Sequence, residues 1–319
     1  MKLSHHNQPM KVLVTRRIHT DAIDLLHNAG FDVKYYYENS PIDLSILKKE
    51  LCEYDAVLTC ITDVINQDVL ESASNKLKII SNMAAGIDNI DVNVARRLGI
   101  QVFNTPNVVT ESTADLTITL AFALIRKIKT AGGFISQGNW KDWDPEIFVG
   151  RSFSKLSWGI IGFGNIGKAL AKKLSGFEMP VWFYDPGINE PSLYAVKKEL
   201  NFLLAKADIV SLHIPLNVDT EFFINQDKLK KMKTSSYLIN MARGRVVNSD
   251  DLTAALRTGE IAGAAMDVFD PEPVPSGHEI LTYNNVIITP HIGTATLECR
   301  REMAVMAATN IINNLKYKE

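Results

Sequence analysis

A chain of 319 residues has room for two domains, and its 46% hydrophobic and 22% charged content is that of a packed globular protein, which excludes a disordered chain. A formal net charge of −2 leaves no electrostatic footprint for nucleic acid. The three cysteines, Cys52, Cys60 and Cys299, make neither a C-x-x-C nor a metal-ligand spacing, so no disulfide framework and no metal are expected, and a reducing, cytoplasmic setting fits.

The opening stretch MKLSHHNQPMK lacks an apolar core and a cleavage site, so it reads as a solvated tail carrying His5 and His6 and not as a secretory signal. Strand-like and helix-like segments then alternate, which predicts parallel sheets covered by helices. Residues 12–15 lead to a helical stretch at 21–28, and residues 33–37 lead to one at 44–51. Strand-like runs at 56–60 and 77–81 continue the pattern, and 101–104 closes a first α/β layer system.

Residues 116–125 form the most apolar helix candidate, far shorter than the roughly 20 residues a bilayer span needs. It ends at Arg126, so a buried or interface helix is expected and no membrane partner. Trp140, Trp143 and Phe148 follow in a loop, either packing at an interface or lining a pocket, interface packing being the commoner fate of such aromatics.

The run WGII at 158–161 has the composition of a buried parallel strand, and Gly162, Gly164 and Gly167 complete G-x-G-x-x-G immediately after it, before a helical stretch at 168–176. In that context the first glycine allows the turn, the second lets a pyrophosphate approach the backbone, and the third packs helix on strand. The phosphates then meet the N-terminal end of the helix, where backbone N–H groups and the helix dipole favour negative charge. A strand at 181–184 ends at Asp185, roughly 20 residues on, where a carboxylate accepts from ribose hydroxyls and repels a 2′-phosphate. Residues 186–191 contain no Lys or Arg, so NAD(H) is expected in preference to NADP(H). An ordinary turn aspartate before Pro-Gly would look the same by position alone.

Further strands are expected at 209–213, 237–240, 262–268 and 286–289, with a helix at 250–257 stopped by Gly259. Lys228, Lys230, Lys231 and Lys233 read as a solvated helix face. Residues 106–289 thus form a dinucleotide-binding domain. The helical run at 294–315 either crosses back to the first domain or stays with the second. Pro106 and Pro290 mark the crossover points, because each sits at a strand-to-helix passage where a helix cannot start earlier.

Reducing a 2-oxo acid requires a cation for the carboxylate, a donor for the carbonyl oxygen and a proton source. Arg243, with Arg245 as a neighbouring rival, lies at the carboxyl end of a strand, where open α/β sheets place ligands. His291 follows VIITP, also at a carboxyl end, and an imidazole supplies a proton near neutral pH. Glu272, in DVFDPEP, is placed to hydrogen-bond that ring and favour its charged form. Singly, each has a plainer reading as a surface ion pair, a loop charge or a helix-start residue. Their shared place at strand ends of one nucleotide-binding unit favours chemistry.

The motifs NMAAGIDNID, TPNVVTESTADL, GFGNIG, INMARGRVVN, AAMDVFDPEP and ITPHIGTAT span nearly the whole chain and resemble those of the D-2-hydroxyacid dehydrogenase family, and within it the glyoxylate and hydroxypyruvate reductases. The resemblance implies an α/β fold of two Rossmann-like or flavodoxin-like parallel-sheet domains with an interdomain cleft. Residues 1–105 with 290–319 would form the substrate domain and 106–289 the cofactor domain. It implies Arg243 as substrate-binding and catalytic arginine, His291 as proton donor and Glu272 as its partner. Backbone N–H groups of Ala85 and Gly86 would hold the substrate carboxylate together with Arg243 and His291. Thr113, Gly162, Gly164, Asn165, Ile166, Gly167, Asp185, Met241, Ala242, Arg243, Asp267, His291 and Gly293 fall at cofactor-contact positions, Asp267 toward the nicotinamide.

It also implies a homodimer and a small 2-oxo or 2-hydroxy acid as substrate. Glyoxylate reductase relatives often carry an NADP-accommodating residue where this chain has Asp185, and here the local charge favours NAD(H). Within the same chemistry 2-ketogluconate and phenylpyruvate are alternative substrates, whereas the short stretch after His291 leaves no room for the regulatory domain of a long phosphoglycerate dehydrogenase. In another class, an NAD-sensing corepressor-like binding protein shares the fold.

Overall fold

A computed structural model describes residues 9–38, 40–73 and 76–315; His5 and His6 lie outside them. The chain divides into one unit of Met1–Val109 with Ala295–Glu319 and a second of Thr110–Thr294. The divisions expected at 105/106 and 289/290 fall slightly earlier. The second has a local cause: the His291 N–H donates to Asp267 O, and the N–H groups of Ile292 and Gly293 donate to the Asp267 carboxylate, tying this loop to the second unit.

In the first unit, β1 (Lys11–Val14), α1 (Thr20–Asn28), β2 (Asp32–Tyr35), α2 (Leu44–Leu51), β3 (Ala56–Thr59), α3 (Gln67–Ser72), β4 (Ile79–Asn82), α4 (Val92–Arg97) and β5 (Gln101–Phe103) alternate. The sheet is parallel throughout in the order β2-β1-β3-β4-β5, the flavodoxin-like winding. Strands β3 and β4 are buried at every residue, as helices on both faces require, while β2 at the edge alternates exposed and half-buried. Asp43, Asn66 and Asp91 cap α2, α3 and α4 by accepting from the N–H groups of Ser45, Val69 and Val94.

The second unit begins with α5 (Thr110–Ile125) and α6 (Ile128–Ser136). It continues through β6 (Trp158–Ile161), α7 (Asn165–Leu174), β7 (Val181–Tyr184), β8 (Val196–Lys197), α8 (Leu200–Lys206), β9 (Ile209–Leu212), α9 (Gln226–Leu229), β10 (Tyr237–Asn240), α10 (Ser249–Thr258), β11 (Gly263–Met266) and β12 (Val286–Ile288). Its seven parallel strands run β12-β11-β10-β9-β6-β7-β8, so the order reverses between β6 and β9. Open sheets of this winding take ligands outside the carboxyl ends at that reversal. The final helix, α11 (Leu297–Asn314), belongs to the first unit and buries Cys299, Met303, Ala304, Ala307, Ala308 and Ile311 against α1, β3 and β4.

Three local expectations are corrected. Helix α7 starts at Asn165, so Asn165, Ile166 and Gly167 are its first turn and not a loop before it. Helix α5 starts at Thr110, which adds Thr113 to its buried face. The lysine cluster is not one solvated helix face: α9 is a single turn ending at Leu229, the Lys228 ammonium lies over the Phe223 ring, and Lys233 pairs with buried Asp208 at 3.2 Å. No helix among the described residues is long and apolar enough to cross a membrane.

Candidate active site

The glycine fingerprint occupies the turn from β6 into α7, at the sheet reversal. Gly162 has φ +92°, and a Cβ there would stand 2.6 Å from the His213 carbonyl oxygen, so only glycine fits. A Cβ at Gly167 would meet Gly162 O at 2.3 Å, the mark of a helix pressed onto its strand. Unlike the capped helices, α7 has no side-chain cap: Gly164 stands at its N-cap, with nothing within 4 Å of where its Cβ would be. Gly164 and Asn165 are exposed. An exposed helix start without a side-chain cap, beside a close-packed glycine turn, suits a pyrophosphate.

Asp185, at the end of β7, accepts from the Phe163 N–H at 2.8 Å through Oδ2 and from the Gly187 N–H at 2.9 Å through Oδ1. The second bond is the turn that an ordinary aspartate would make, and the first ties the carboxylate to the fingerprint itself. A carboxylate offers about four lone-pair sites, so both oxygens retain capacity for ribose hydroxyls. Sequence reasoning misses Phe163, because it occupies a variable position of the motif. Its ring is buried and stacks on Phe183 with centroids 3.8 Å apart, fixing the N–H that meets Asp185. Also missed is Lys197 on β8, whose ammonium reaches Ile188 O at 2.5 Å and Asn189 Oδ1 at 3.1 Å, bracing the segment that lacks basic residues of its own.

At the other side of the sheet, β10, β11 and β12 lie adjacent and in register, Asn240 beside Met266 and Met266 beside Ile288. The segments that follow them, bearing Arg243, Asp267 and His291, therefore leave the sheet at one edge. Asp267 is 3% exposed and spends both oxygens on the histidine loop. Its Oδ1 accepts from Thr289 Oγ1 at 2.6 Å and Ile292 N–H at 2.8 Å, and its Oδ2 from Gly293 N–H at 2.7 Å. Asp267, expected as a nicotinamide-side contact, is in this structure the anchor of residues 289–293. Thr113 and Met241 close the same knot, since Thr113 Oγ1 donates to Gly293 O at 3.5 Å and Met241 Cε is 3.6 Å from the place of a Gly293 Cβ.

His291 sits on this loop at φ +53°, a left-handed conformation that a residue with a Cβ holds only when its surroundings enforce it. Its Nδ1 is 2.7 Å from Glu272 Oε1. An ionised carboxylate only accepts, so the ring donates from Nδ1 to Glu272, which leaves Nε2 as the ring nitrogen not engaged by that bond. The other described histidines of this unit are differently employed. Burial pushes the His213 imidazole down to about 3, which keeps it neutral, with Nε2 3.0 Å from Ser211 Oγ. His278 accepts from the Ile280 N–H at the start of a short helical turn.

Arg243 is held by its own backbone: Asn240 Nδ2 donates to Arg243 O at 2.9 Å, and Ala242 N–H donates to Asn240 Oδ1 at 3.0 Å. Its Nη1 donates to Ala242 O at 2.8 Å. A Cβ on Gly244 would lie 2.0 Å from Phe269 O, so glycine there lets the arginine segment press against the segment leading to Glu272. Arg245, the rival, is more exposed and pairs with Glu221. Among the described residues no group of three His, Cys, Asp or Glu side chains is arranged to hold a metal.

Ala85 and Gly86 belong to the first unit, in the turn after β4. Ala85 is exposed and Gly86 half-buried, and their N–H groups donate to nothing among the described residues. Two adjacent unused N–H groups at a strand end suit a carboxylate.

The family model for the D-isomer specific 2-hydroxyacid dehydrogenase NAD binding domain matches residues 118–293. The chain is 39% identical over 311 residues to a glyoxylate reductase of Thermofilum pendens, covering 96% of this chain and 91% of the relative. It is similar to the crystal structure of a Thermus thermophilus protein at 37% identity and TM-score 0.90, covering 95% of this chain and 96% of the other. It also resembles an NADPH-dependent glyoxylate/hydroxypyruvate reductase of Sinorhizobium meliloti solved with NADP and malonate, at 26% identity and TM-score 0.84, covering 98% of this chain and 95% of the other.

Proposed function

The chain belongs to the D-isomer specific 2-hydroxyacid dehydrogenase family, and from that premise we propose that it reduces glyoxylate or hydroxypyruvate to the 2-hydroxy acid with NADH, His291 serving as proton donor. Nicotinamide-dependent reduction of a 2-oxo acid is the reaction class that this membership carries. The observation that supports the roles most is the loop of residues 289–293, clamped by Asp267 and presenting a histidine already paired with Glu272.

A reduced nicotinamide, when bound, supplies the hydride that reduces the keto carbon. The remaining work falls to the chain. Gly162, Gly164 and Gly167 with the start of α7 hold the pyrophosphate, Asp185 the adenosine ribose, and Thr113, Met241, Ala242 and Gly293 the nicotinamide side. Arg243 carries a permanent charge that pairs with the substrate carboxylate and polarises the carbonyl, and the N–H groups of Ala85 and Gly86 bind that carboxylate. The Glu272 carboxylate stabilises the imidazolium of His291, and Nε2 delivers its proton to the carbonyl oxygen as negative charge develops there.

NADH is preferred because a 2′-phosphate would bring nearly two negative charges against Asp185, while Lys197 is already engaged by Ile188 and Asn189. A homodimer is supported by α6, which buries none of its residues, and by the exposed apolar run Ile128, Ile135, Trp140, Trp143, Ile147 and Val149 around it. Three free thiols accord with a reducing, cytoplasmic compartment.

The test is turnover of a panel of 2-oxo acids with NADH and NADPH, read by nicotinamide absorbance. Glyoxylate and hydroxypyruvate should exceed pyruvate, phenylpyruvate and 2-ketogluconate in kcat/KM, with NADH favoured by about tenfold or more, the equivalent of ~1.4 kcal/mol. A better turnover of 2-ketogluconate or phenylpyruvate would overturn the substrate, a preference for NADPH the cofactor, and absence of turnover with every acid would favour the corepressor-like reading.

A further inference from the structure

The turn that follows β4 is aimed by side chains that have no part in the roles above. Its three consecutive carbonyls all face protein donors. Ala84 O accepts from the Thr105 N–H at 2.9 Å, Ala85 O from Asn104 Nδ2 at 2.7 Å, and Gly86 O from Asn82 Nδ2 at 3.0 Å. In a trans peptide the C=O of one residue and the N–H of the next point in opposite directions. Holding Ala84 O inward therefore turns the Ala85 N–H outward, and holding Ala85 O inward turns the Gly86 N–H outward. The first restraint is backbone to backbone. The second hangs on one side chain, that of Asn104.

The backbone of Asn104 and the side chain of Asn82 are each held by further bonds. Asn104 O accepts from Asn310 Nδ2 of α11 at 3.0 Å. Asn82 is fully buried, with Oδ1 accepting from Thr59 Oγ1 at 3.0 Å and Nδ2 also donating to Asn89 Oδ1 at 2.9 Å. Asn89 in turn donates to Cys60 O and Asp63 O, at 3.2 and 2.9 Å. Around fully buried Asn82 an amide network this well satisfied holds one geometry, because rotation of that side chain strands a polar group, whereas the Asn104 bond lies nearer the surface. Among the described residues, the N–H groups of Ala85 and Gly86 meet no such partner.

We infer that Asn104 is a positioning residue for substrate binding: its amide holds Ala85 O so that the Gly86 N–H points at the substrate carboxylate, with Asn82 closing the turn from the core side. The inference rests on the reading that Ala85 and Gly86 receive that carboxylate. Asn104 touches neither substrate nor cofactor in this account. It acts through one peptide plane.

The test uses the full-length enzyme and glyoxylate, with Asn104→Ala, Asn104→Asp and Gly86→Pro, the last deleting the N–H itself. A carboxylate contact made alike in the bound substrate and the transition state appears in KM and leaves kcat in place. Asn104→Ala should raise KM about tenfold, with kcat and the Kd for NADH within about twofold, and Asn104→Asp should raise it further because an acceptor then faces Ala85 O. Gly86→Pro should raise KM as well; should it not fold, the two Asn104 variants decide. A rise with Gly86→Pro but none with either Asn104 variant overturns the positioning role and leaves the carboxylate reading standing. No rise with any of the three removes the carboxylate reading and the inference with it. A rise with the Asn104 variants but none with a folded Gly86→Pro severs the proposed link and also overturns the inference, as does a fall in kcat and melting temperature with KM unchanged.

Discussion

Replacing Asp267 with asparagine keeps the side chain's shape and removes one acceptor and a charge. Three bonds are at stake, from Thr289 Oγ1, Ile292 N–H and Gly293 N–H, at 2.6, 2.8 and 2.7 Å. In the least costly placement the new amide nitrogen faces Gly293 N–H, so that bond is lost and the other two become neutral. Hydrogen bonds to a charged group contribute about 1.5–3 kcal/mol and neutral ones about 0.5–1.5, so the loop loses roughly 3.5–6 kcal/mol of restraint. That exceeds the order of 1–3 kcal/mol needed to hold a non-glycine residue such as His291 at positive φ. The loop should relax and the imidazole should leave its place, and a displacement of about 1 Å at a reacting group costs on the order of 100-fold in rate. Steady-state kinetics on Asp267→Asn should therefore show kcat/KM reduced about 100-fold, with the Kd for NADH, read by fluorescence quenching, much less affected. Retention of kcat/KM within about threefold would refute the clamp, and a loss confined to NADH binding would return Asp267 to a purely cofactor-facing role.

Two further outcomes follow from individual contacts. Glu272→Gln replaces the carboxylate that the His291 ring meets at Nδ1 with an amide, which loosens the ring's orientation, so kcat/KM should fall by about tenfold or more; retention within about threefold argues against a role for the pairing at 2.7 Å. Burial opposes ionisation of Asp208, but hydrogen bonds from Ser157, Arg151 and Lys233 outweigh it and hold the carboxyl below its usual range. A depressed folded-state value gives stability that is complete above the unfolded value of about 4 and is lost as pH falls below it. Asp208→Asn should thus destabilise the protein by roughly 1–3 kcal/mol near neutral pH and by less as the medium is acidified below about pH 4, and a pH-independent difference in melting temperature would contradict this.

What is legible in the sequence is whatever depends on neighbours along the chain. Alternating strand and helix patterns locate most strands to within a residue or two, and Gly162, Gly164 and Gly167 announce their turn because each answers to a local steric demand. Strand β8 escapes because it is two exposed residues at a sheet edge, without the apolar run that marks a buried strand. Lys233 is misjudged because its partner, Asp208, lies outside any helical spacing. Asp267 can be assigned to the site but not to its task, since the groups it restrains stand 22 to 26 positions away. The same holds for Asn104, whose acceptor is 19 positions earlier. Side chains that act on substrate carry recognisable chemistry, whereas those that aim a backbone are ordinary residues whose importance exists only in three dimensions.

The central claim, that His291 supplies the proton, is met most directly by His291→Ala assayed for single-turnover reduction of glyoxylate and, separately, for NADH affinity. With Nε2 gone and the α7 and Asp185 contacts untouched, reduction should slow by on the order of 100-fold or more while the Kd for NADH stays within about twofold. A variant that reduces glyoxylate at the original rate would contradict the account.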